Sequence, residues 1–474
     1  MPYARSIIPN TIQPGALPDP SLIFDAVFAR NTFTKHPNNV SSVLFYWASL
    51  IIHDLFQTDH RDISNSQTSS YLDLSLLYGD VQEDQDQIRT FKDGKLKPDC
   101  FSEHRLLGFP PGCGVLLIMF NRFHNYVVEQ LALINENGRF TKPREGLPPE
   151  AAEKAWAKYD NDLFQTGRLI TCGLYMNITL LDYLRTIVNL NRSNTTWTLD
   201  PRVDMEGSGN TIGNPHTPRG TGNQVSAEFN LIYRWHSCTS KRDEDWTEQL
   251  YRKMFGKSAA EVSMPEFMQG LGKWAAGLDK DPQKRPFAGL ERGPDGKYSD
   301  DDLVEILAHS IEDVAGTYHM ARKSAIVAYV SGSFGAQNVP KALKAVEILG
   351  MQQARKWGLG TLNEFRKHFG LAPHETFESI NSEPEVANAL RHLYDHPDFV
   401  EMYADFFCVS MHKTNILPIR YPGIVAEEAK VPMVPGVGIA PTFTISRAIL
   451  SDAVVLVRGD RFYTIDYHAK NLTK

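Results

Sequence analysis

The feature that most constrains the fold is a stretch at about 114–135, where apolar side chains recur with helical spacing. Pro110-Pro111-Gly112 precedes it, and proline is favoured in the first turn of a helix but disfavoured inside one. We expect further helices at 43–58, 150–190, 301–330, 340–357, 361–369, 383–407 and 443–456. Because no internal repeat and no convincing run of alternating strand residues is present, we predict a mostly α fold with few strands.

Between these segments the chain is polar and rich in turn-forming residues. Residues 1–40 contain many Pro and Asn and predict an extended arm, and residues 193–224 contain Thr, Asn, Gly and Pro and predict a long loop. Residues 59–80 predict a polar loop that closes on Tyr78-Gly79. We therefore expect an N-terminal arm at 1–40 and one large helical domain at 41–474.

Composition excludes several classes of partner. The net charge of -7 argues against binding to nucleic acid or to an anionic membrane surface. No window approaches the roughly 18 apolar residues of a membrane-spanning helix, and the most apolar one, 43–52, predicts a buried core helix. The five cysteines include no CxxC pair, and the N-terminus has no apolar signal region. We expect reduced thiols and an intracellular protein, cytoplasmic or peripheral to a lipid droplet or membrane.

Oxygen-bearing side chains cluster after the first predicted helix. His53-Asp54 ends that helix, and Ser69, Tyr71, Asp73 and Ser75 follow at a spacing of two, which places them on one side of an extended loop. Carboxylates, hydroxyls and exposed carbonyls suit a hard cation such as calcium. The alternative is a network of Asx and Ser turns without metal, and for His53 a packed core histidine.

Tyr233 and His236 form a second constellation, within Glu228-Phe229-Asn230 to His236. If this stretch is helical, the two side chains share one face. A histidine there can bind iron, and a tyrosine one turn away can exchange an electron with the cofactor that holds the iron. The alternative for Tyr233 is a buried aromatic residue with a hydrogen-bonded hydroxyl.

Several motifs carry a family resemblance. His53-Asp54 with the 69–75 loop resembles the distal-histidine and calcium-loop signature of the animal haem peroxidase superfamily, and 121–125 resembles its Arg-x-His-Asn helix. Further resemblance lies at 162–170, 228–236 and 363–370, which are similar to cyclooxygenase segments, and at 458–462, which is similar to the closing peroxidase motif. The residues at 68–75 and 233–238 are most similar to those of fungal linoleate dioxygenases, namely the psi-factor producing oxygenases and linoleate diol synthases.

The resemblance implies a haem-peroxidase-like, cyclooxygenase-like domain with a role for each motif residue. His236 would be the proximal ligand of haem b, and His53 would lie on the distal side and move protons. Arg122 matches the distal arginine of peroxidases, and Arg355 is a candidate partner for a haem propionate. For both arginines an ion pair within the protein is the alternative. Asp54, Ser69, Tyr71, Asp73 and Ser75 would bind Ca²⁺.

The implied reaction is radical oxygenation of an unsaturated C18 fatty acid such as linoleic acid by O2. Tyr233, oxidised by peroxide-activated haem, would take an allylic or bis-allylic hydrogen, and O2 would add to the carbon radical. The resulting peroxyl radical would take the hydrogen back from Tyr233 and leave a hydroperoxide. Attack at carbon 8 or carbon 10 stays open. Family members tend to be homo-oligomers.

Departures from the family pattern modify these expectations. Peroxidases have a Gln four residues before the distal histidine, where this chain has Ser49, which disfavours peroxidase turnover. The ester-forming acids of the superfamily fall at Ile52 and Asn125, so we expect non-covalent haem. Peroxidases also place an Asn against the proximal histidine, and Gly350 aligns there, which predicts a weakly polarised imidazole.

Fungal members usually carry a C-terminal cytochrome P450-like domain, and we expect none in this chain, so that the product is the hydroperoxide itself. Two alternatives to the fatty acid dioxygenase stay open. One is a haem peroxidase that reduces hydrogen peroxide at the expense of small phenols. The other is a truncated, non-catalytic haem-binding remnant.

Overall fold

The computed structural model describes residues 2–11, 15–36, 39–69, 71–184, 224–317, 336–368, 372–381 and 383–406. Its helices there are α1 (Pro20–Ile23), α2 (Val43–Leu55), α3 (Ser75–Tyr78), α4 (Gln82–Ile88), α5 (Pro111–Ile134), α6 (Pro149–Asn177), α7 (Ala227–Ile232), α8 (Lys241–Phe255), α9 (Met264–Ala276), α10 (Asp300–Glu312), α11 (Lys344–Lys356), α12 (Leu362–His368), α13 (Phe377–Ile380), α14 (Pro384–Leu393) and α15 (Met402–Phe406). In these ranges β structure is limited to isolated bridges such as Ala4 with Ser226. The predicted mostly α fold is confirmed.

Short 3₁₀ and π segments connect the helices. The π segments are Phe24–Phe28 and Ile178–Leu184, and the 3₁₀ segments are His104–Gly108, Glu136–Gly138, His236–Cys238, Ala259–Glu261, Pro282–Lys284, Lys341–Leu343 and Pro397–Phe399. Among the residues described, no helix combines the length and the apolar character needed to cross a membrane.

The longest helices, α5 and α6, pack against each other and against α2. Trp47 of α2 is fully buried, with its ring centroid 6.0 Å from that of Phe120 on α5 and 5.4 Å from that of Tyr175 on α6. Such aromatic pairs add about 1 kcal/mol each beyond the burial of their area. The indole Nε1 of Trp47 donates to Thr179 Oγ1 at 3.2 Å. This interlock fixes α2, which carries His53, relative to the turn that follows α6.

Two hydrophobic clusters meet beside α7. The first cluster surrounds α2, α5 and α10, and the second surrounds the 24–28 turn, α11, α14 and α15. Ala227 and Leu231 of α7 are buried in the second cluster, whereas Tyr233 and Trp235 pack against the first. The segment 227–238 therefore lies at the boundary of the two clusters.

The N-terminal residues are less extended than predicted. Asp19 caps α1 by accepting from the Ser21 N–H at 2.8 Å, and Pro20 occupies the first helical position, where proline is favoured. Phe24 and Phe28, one turn apart, are fully buried in the second cluster. The expected extended arm at 1–40 is therefore wrong for 20–28, because helically spaced apolar residues there bury a common face.

Helix boundaries differ from the predictions where the backbone is interrupted. The expected 301–330 helix ends at Glu312, since Asp313 is extended, and 318–330 lies outside the described residues. The expected 383–407 helix is divided, because Pro397 cannot donate a helical hydrogen bond and begins a 3₁₀ turn. Three further predictions also lie outside the described residues: the loop at 193–224 except for its last residue, the 443–456 helix and the 458–462 motif.

Candidate functional site

The chain around Tyr233 turns instead of continuing as a helix. Helix α7 starts with the Ser226 hydroxyl accepting from the Phe229 N–H at 3.0 Å and ends at Ile232. Tyr233 has φ -77° and ψ 69°, and the Arg234 N–H donates to the Ile232 carbonyl at 2.8 Å, which defines an inverse γ-turn. His236 then begins a 3₁₀ turn. The predicted common helical face of Tyr233 and His236 is wrong, because a turn separates them.

The hydroxyl of Tyr233 is hydrogen-bonded to the hydroxyl of Tyr183, from the π-helical turn after α6. The Tyr233 ring lies 5.3 Å from Phe229 and 6.1 Å from Trp235, centroid to centroid. Burial raises the pKa of the Tyr233 phenol above its ordinary value. A neutral phenol with a hydroxyl partner can release its proton together with an electron, which is the property that a radical-forming tyrosine needs.

His236 is held by a buried carboxylate. Its Nδ1 lies 2.6 Å from Oε1 of Glu347 on α11, and Oε2 of Glu347 accepts from the Tyr403 hydroxyl at 2.6 Å. Glu347 is fully buried. The other ring nitrogen, Nε2, has no hydrogen-bond partner among the described residues. A histidine whose second nitrogen is bound by a carboxylate is the usual arrangement for a metal ligand.

Gly350 does not leave this imidazole without a polar partner, and that expectation is wrong. Glu347, three residues before Gly350 on α11, supplies the carboxylate. A Cβ at position 350 would lie 2.3 Å from the Tyr403 hydroxyl oxygen. The glycine therefore makes room for the phenol that contacts Glu347.

His53 lies inside α2 in a defined tautomer. Its Nδ1 lies 2.7 Å from the Ser49 carbonyl, which can only accept, so Nδ1 carries the proton and Nε2 the lone pair. The ring packs edge-on against Phe109 at 4.7 Å. Burial, followed by the charge of Arg105, lowers the pKa of His53 to about 4. His53 is therefore neutral at pH 7 and can accept a proton.

The arginines predicted to bind the cofactor form ion pairs within the protein. Arg122 donates to both carboxylate oxygens of Asp99, at 2.8 and 2.6 Å, and to Asp300 at 2.7 Å. Arg355 donates to both carboxylate oxygens of Glu401, at 2.7 and 2.9 Å. These carboxylates neutralise both guanidinium groups, which favours the ion-pair alternative over the haem roles predicted for Arg122 and Arg355.

Arg234 is better placed to meet an anionic group. Its Nε is buried without a hydrogen-bond partner among the described residues. Burial is the main effect on two nearby side chains: it lowers the pKa of His53 and raises the pKa of Tyr403. The positive charge of Arg234 contributes a smaller lowering of the pKa of each. Arg234 is thus close to the distal candidate and to the residues that hold His236. Together with the available Nε2 of His236, this unpaired donor fits a haem with its propionates.

The predicted calcium residues form a connected hydrogen-bond network. Asp54 accepts from the Leu74 N–H at 3.2 Å and from the Ser75 hydroxyl at 3.0 Å. Asp73 accepts from the Ser69 hydroxyl at 2.8 Å and from the Ser75 N–H at 3.1 Å.

Tyr71 is 54% exposed, and its backbone carbonyl accepts from the Ser69 hydroxyl at 3.3 Å. This is the arrangement expected of the metal-free alternative.

Burial in and beside this network disfavours ionisation of two carboxyl groups. Burial, followed by the charge of Asp73, raises the pKa of Asp54 to about 8, and burial raises the pKa of Asp80 to about 6. No group of three or more His, Cys, Asp or Glu side chains that could hold a metal occurs in the described ranges. Any cation here would take hydroxyl and carbonyl oxygens beside the carboxylates, which is what calcium accepts.

The 121–125 motif has a structural role. His124 Nε2 donates to the Gly94 carbonyl at 2.9 Å, and its Nδ1 accepts from the Tyr78 hydroxyl at 2.8 Å. Asn125 Oδ1 accepts from the Leu96 N–H at 2.8 Å, and its Nδ2 donates to the Leu96 carbonyl at 3.1 Å. The motif therefore fastens the 94–96 turn to α5, and both nitrogens of His124 are occupied.

Comparison with known proteins identifies the family of the chain. Residues 307–413 match the family model described as animal haem peroxidase. The chain is 66% identical over 472 residues to the linoleate 10R-lipoxygenase of Aspergillus fumigatus, over 99% of this chain and 38% of that protein. It carries an animal haem peroxidase family domain. The psi-producing oxygenase A of Emericella nidulans is 58% identical over 472 residues, which are 99% of this chain and 40% of that protein.

This haem peroxidase family domain spans about two fifths of the length of the curated relatives it matches. Among solved structures, peroxidase A from Dictyostelium discoideum superposes with a TM-score of 0.53 and 16% identity, over 98% of this chain and 94% of that chain. At this identity the likeness shows the fold, and it agrees with the helical architecture.

Sequence reasoning missed four residues that the structure places at the candidate site, namely Tyr183, Arg234, Glu347 and Tyr403. Arg234 stands inside the Tyr233-to-His236 motif, so its position alone was a usable signal. The other three are brought in from distant segments, and their local sequence contains no motif that marks them.

Proposed function

We propose that this chain is the oxygenase part of a haem-dependent fatty acid dioxygenase. It would convert linoleic acid or a related unsaturated C18 fatty acid and O2 into a hydroperoxide. The observation that carries the proposal is the pairing of a hydroxyl-bonded Tyr233 with His236, whose Nδ1 is bound by Glu347. The names of the two relatives, a linoleate 10R-lipoxygenase and a psi-producing oxygenase, support the same class of reaction.

Haem b would be held without a covalent bond. His236 would bind the iron through Nε2, and Arg234 would pair with a propionate through its unpartnered Nε. Ile52 has no carboxyl group, and Asn125 is bound to the Leu96 backbone, so neither position offers an ester. When bound, the haem supplies the one-electron oxidation of Tyr233 after reaction with a peroxide.

His53 would handle the proton of that peroxide. Its Nε2 has a lone pair, because Nδ1 is committed to the Ser49 carbonyl. The lowered pKa keeps the ring neutral at pH 7 and able to accept. The Ser49 hydroxyl donates to the Phe45 carbonyl at 2.7 Å, so it does not replace the glutamine of peroxidases.

Tyr233 would then carry the radical chemistry. Its phenoxyl oxygen takes a hydrogen atom from an allylic or bis-allylic C–H bond of the fatty acid, which restores the phenol and leaves a carbon radical. O2 adds to that carbon, and the peroxyl radical takes the hydrogen of the Tyr233 hydroxyl. The products are the hydroperoxide and a regenerated tyrosyl radical. Tyr183 would hold the Tyr233 oxygen in place throughout, through their hydrogen bond.

We also propose that the Asp54–Asp73 network binds Ca²⁺. The high pKa of Asp54 reflects burial near a second carboxylate, and a divalent cation would relieve both effects. The ligands would be Asp54, Asp73, the Ser69 and Ser75 hydroxyls and the Tyr71 carbonyl. This site would fasten the 69–75 loop to the end of α2, one residue from His53.

The test is O2 uptake by haem-reconstituted protein given linoleic acid, beside Tyr233→Phe. We expect uptake in the wild type, none in the variant, and an unchanged Soret band in both. Equal uptake in the two proteins would rule out a radical on Tyr233. Guaiacol oxidation with H2O2 but no O2 uptake would indicate a peroxidase, and a missing Soret band in the wild type would indicate the non-catalytic alternative.

A further inference from the structure

We propose that Glu347 and Tyr403 act together as positioning residues that make His236 a strongly electron-donating iron ligand. The two contacts are both short: Glu347 Oε1 lies 2.6 Å from His236 Nδ1, and Oε2 lies 2.6 Å from the Tyr403 hydroxyl oxygen. The inference deepens the proposed function, since it rests on iron binding at His236. It concerns a carboxylate where the superfamily comparison predicted no polar group.

The environment of Glu347 makes this contact strong. The side chain is fully buried, and no Lys or Arg in the described ranges forms an ion pair with it. Among the described residues its carboxylate accepts from two donors, the His236 N–H and the Tyr403 O–H, with the positive charge of Arg234 nearby. In a low-dielectric interior such charge-assisted bonds are shorter and stronger than neutral ones. Glu347 thus attracts the Nδ1 proton and raises the electron density at Nε2.

The carboxylate is also held in place. Tyr403 is buried, and its ring lies 6.3 Å from Phe28 in the second cluster. Its hydroxyl passes the α11 backbone at Gly350, where a Cβ would come within 2.3 Å of the oxygen. Glu347 and Gly350 lie one helical turn apart on α11. The backbone of α11 therefore provides both the carboxylate and the gap that lets Tyr403 orient it.

A more anionic imidazole has a defined chemical consequence. Hydrogen bonding to an iron ligand is one of the means by which a protein tunes reduction potential. If haem is bound, stronger donation from His236 would stabilise its ferric state and would favour cleavage of a peroxide O–O bond. His236 would in this way help the oxidation of Tyr233, although Ser49 replaces the peroxidase glutamine.

The test compares Glu347→Gln, Tyr403→Phe and a control, Glu244→Gln, in haem-reconstituted protein. Glu244 on α8 pairs with Arg30 at 2.8 Å, so its substitution also removes a partly buried carboxylate. The readouts are the iron–histidine stretching band of the ferrous protein and the ferric/ferrous midpoint potential. We expect Glu347→Gln to lower the frequency of the iron–histidine band and to raise the midpoint potential by about 59 mV, which is a tenfold change in the reduction equilibrium constant of a one-electron couple. Tyr403→Phe should shift both less, and the control should shift neither.

The outcomes separate this inference from the proposed function. If the iron–histidine band of Glu347→Gln has the same frequency as that of the wild type, the inference is overturned, and haem binding by His236 is left intact. Haem binding with the wild-type spectrum in His236→Ala overturns the proposed ligand itself. If Glu347→Gln does not fold, Tyr403→Phe decides, because it removes only the hydroxyl that orients the carboxylate.

Discussion

The hydroxyl groups of Tyr233 and Tyr183 are hydrogen-bonded to each other across 50 residues of chain. This contact brings the π-helical turn after α6 to the inverse γ-turn after α7. The Tyr233 oxygen is therefore held by a hydrogen bond, and in the proposed reaction its position would decide which C–H bond of the fatty acid is attacked.

Removing the Tyr183 hydroxyl should loosen the Tyr233 ring without unfolding the protein. For Tyr183→Phe we expect the transition state to lose about 1 kcal/mol of stabilisation, which lowers the rate of O2 uptake about fivefold. The hydroperoxide should also form at a broader distribution of carbon positions. Chiral chromatography of the products measures this. The control is Tyr175→Phe, because the Tyr175 hydroxyl is buried without a partner among the described residues. A product pattern unchanged in Tyr183→Phe would contradict the positioning role.

Two buried histidines should make the fold sensitive to acid. Burial lowers the pKa of His53 and of His124 to about 4, below the value of about 6.5 for an unfolded chain. The unfolded state binds these protons first, so their stabilising effect is complete above pH 6.5 and is lost as the pH falls towards 4. Each of the two histidines should make the unfolding free energy about 2 kcal/mol lower at pH 5 than at pH 7.

Urea unfolding at pH 7 and pH 5 measures this loss. His124→Gln should be less stable at pH 7, because its bonds to Gly94 and Tyr78 are lost, yet should lose less stability on acidification. A pH slope equal to that of the wild type would show that His124 does not contribute to it.

Asp54 should couple calcium binding to proton release. Its pKa of about 8 exceeds the unfolded value, so without a cation the unfolding free energy decreases as the pH rises from about 4 to 8. Calcium must displace that proton, and its apparent affinity should therefore increase with pH up to about 8. Melting temperatures of chelator-treated protein, with and without Ca²⁺ at pH 6 and pH 8, test this. Asp54→Asn should show a much smaller pH dependence of the calcium effect, with the remainder due to Asp80, and a wild-type response in that variant would exclude Asp54 as a ligand.

Arg122 should prove to be structural. Its carboxylate partner Asp99 is buried, and loss of one member of a buried ion pair costs about 3–5 kcal/mol. We expect Arg122→Gln to lower the unfolding free energy by that amount while the haem-reconstituted protein keeps its Soret maximum and its rate of peroxide reaction. Stopped-flow absorbance measures the rate. A slow peroxide reaction in a stably folded variant would restore the distal role.

Gly316 should be intolerant of even a methyl group. A Cβ there would lie 2.2 Å from the Ser237 carbonyl oxygen, directly after His236. Such overpacking costs about 1–3 kcal/mol and would displace His236, the proposed iron ligand, so Gly316→Ala should weaken haem affinity as well as stability. Gly173→Ala in α6 is the matched control, since nothing lies within 4 Å of its Cβ. It should stabilise the protein by up to about 1 kcal/mol. Haem titration of both variants separates the two effects.

Much of the helical framework was predictable from local pattern. The spacing at 114–135 and the preceding prolines placed α5 within a few residues, because both signals are local. The Tyr233 segment was misassigned because a spacing of three is compatible with a helix and with a γ-turn followed by a 3₁₀ turn.

The partners of the site residues were not predictable in the same way. Glu347 is 111 residues from His236 in the chain. A single glutamate on a helix is usually exposed to solvent, and its local sequence does not show that the fold buries it. The roles of Arg122 and Arg355 also depended on distant carboxylates that the motifs do not contain.

The position of residues 227–238 between two hydrophobic clusters has a mechanical consequence. Ala227 and Leu231 are buried in the second cluster and Tyr233 packs against the first, so one short segment is attached to both clusters. A cofactor bound at His236 would therefore link the two clusters through this segment. The same bound group would then serve both the redox chemistry and the packing of the fold.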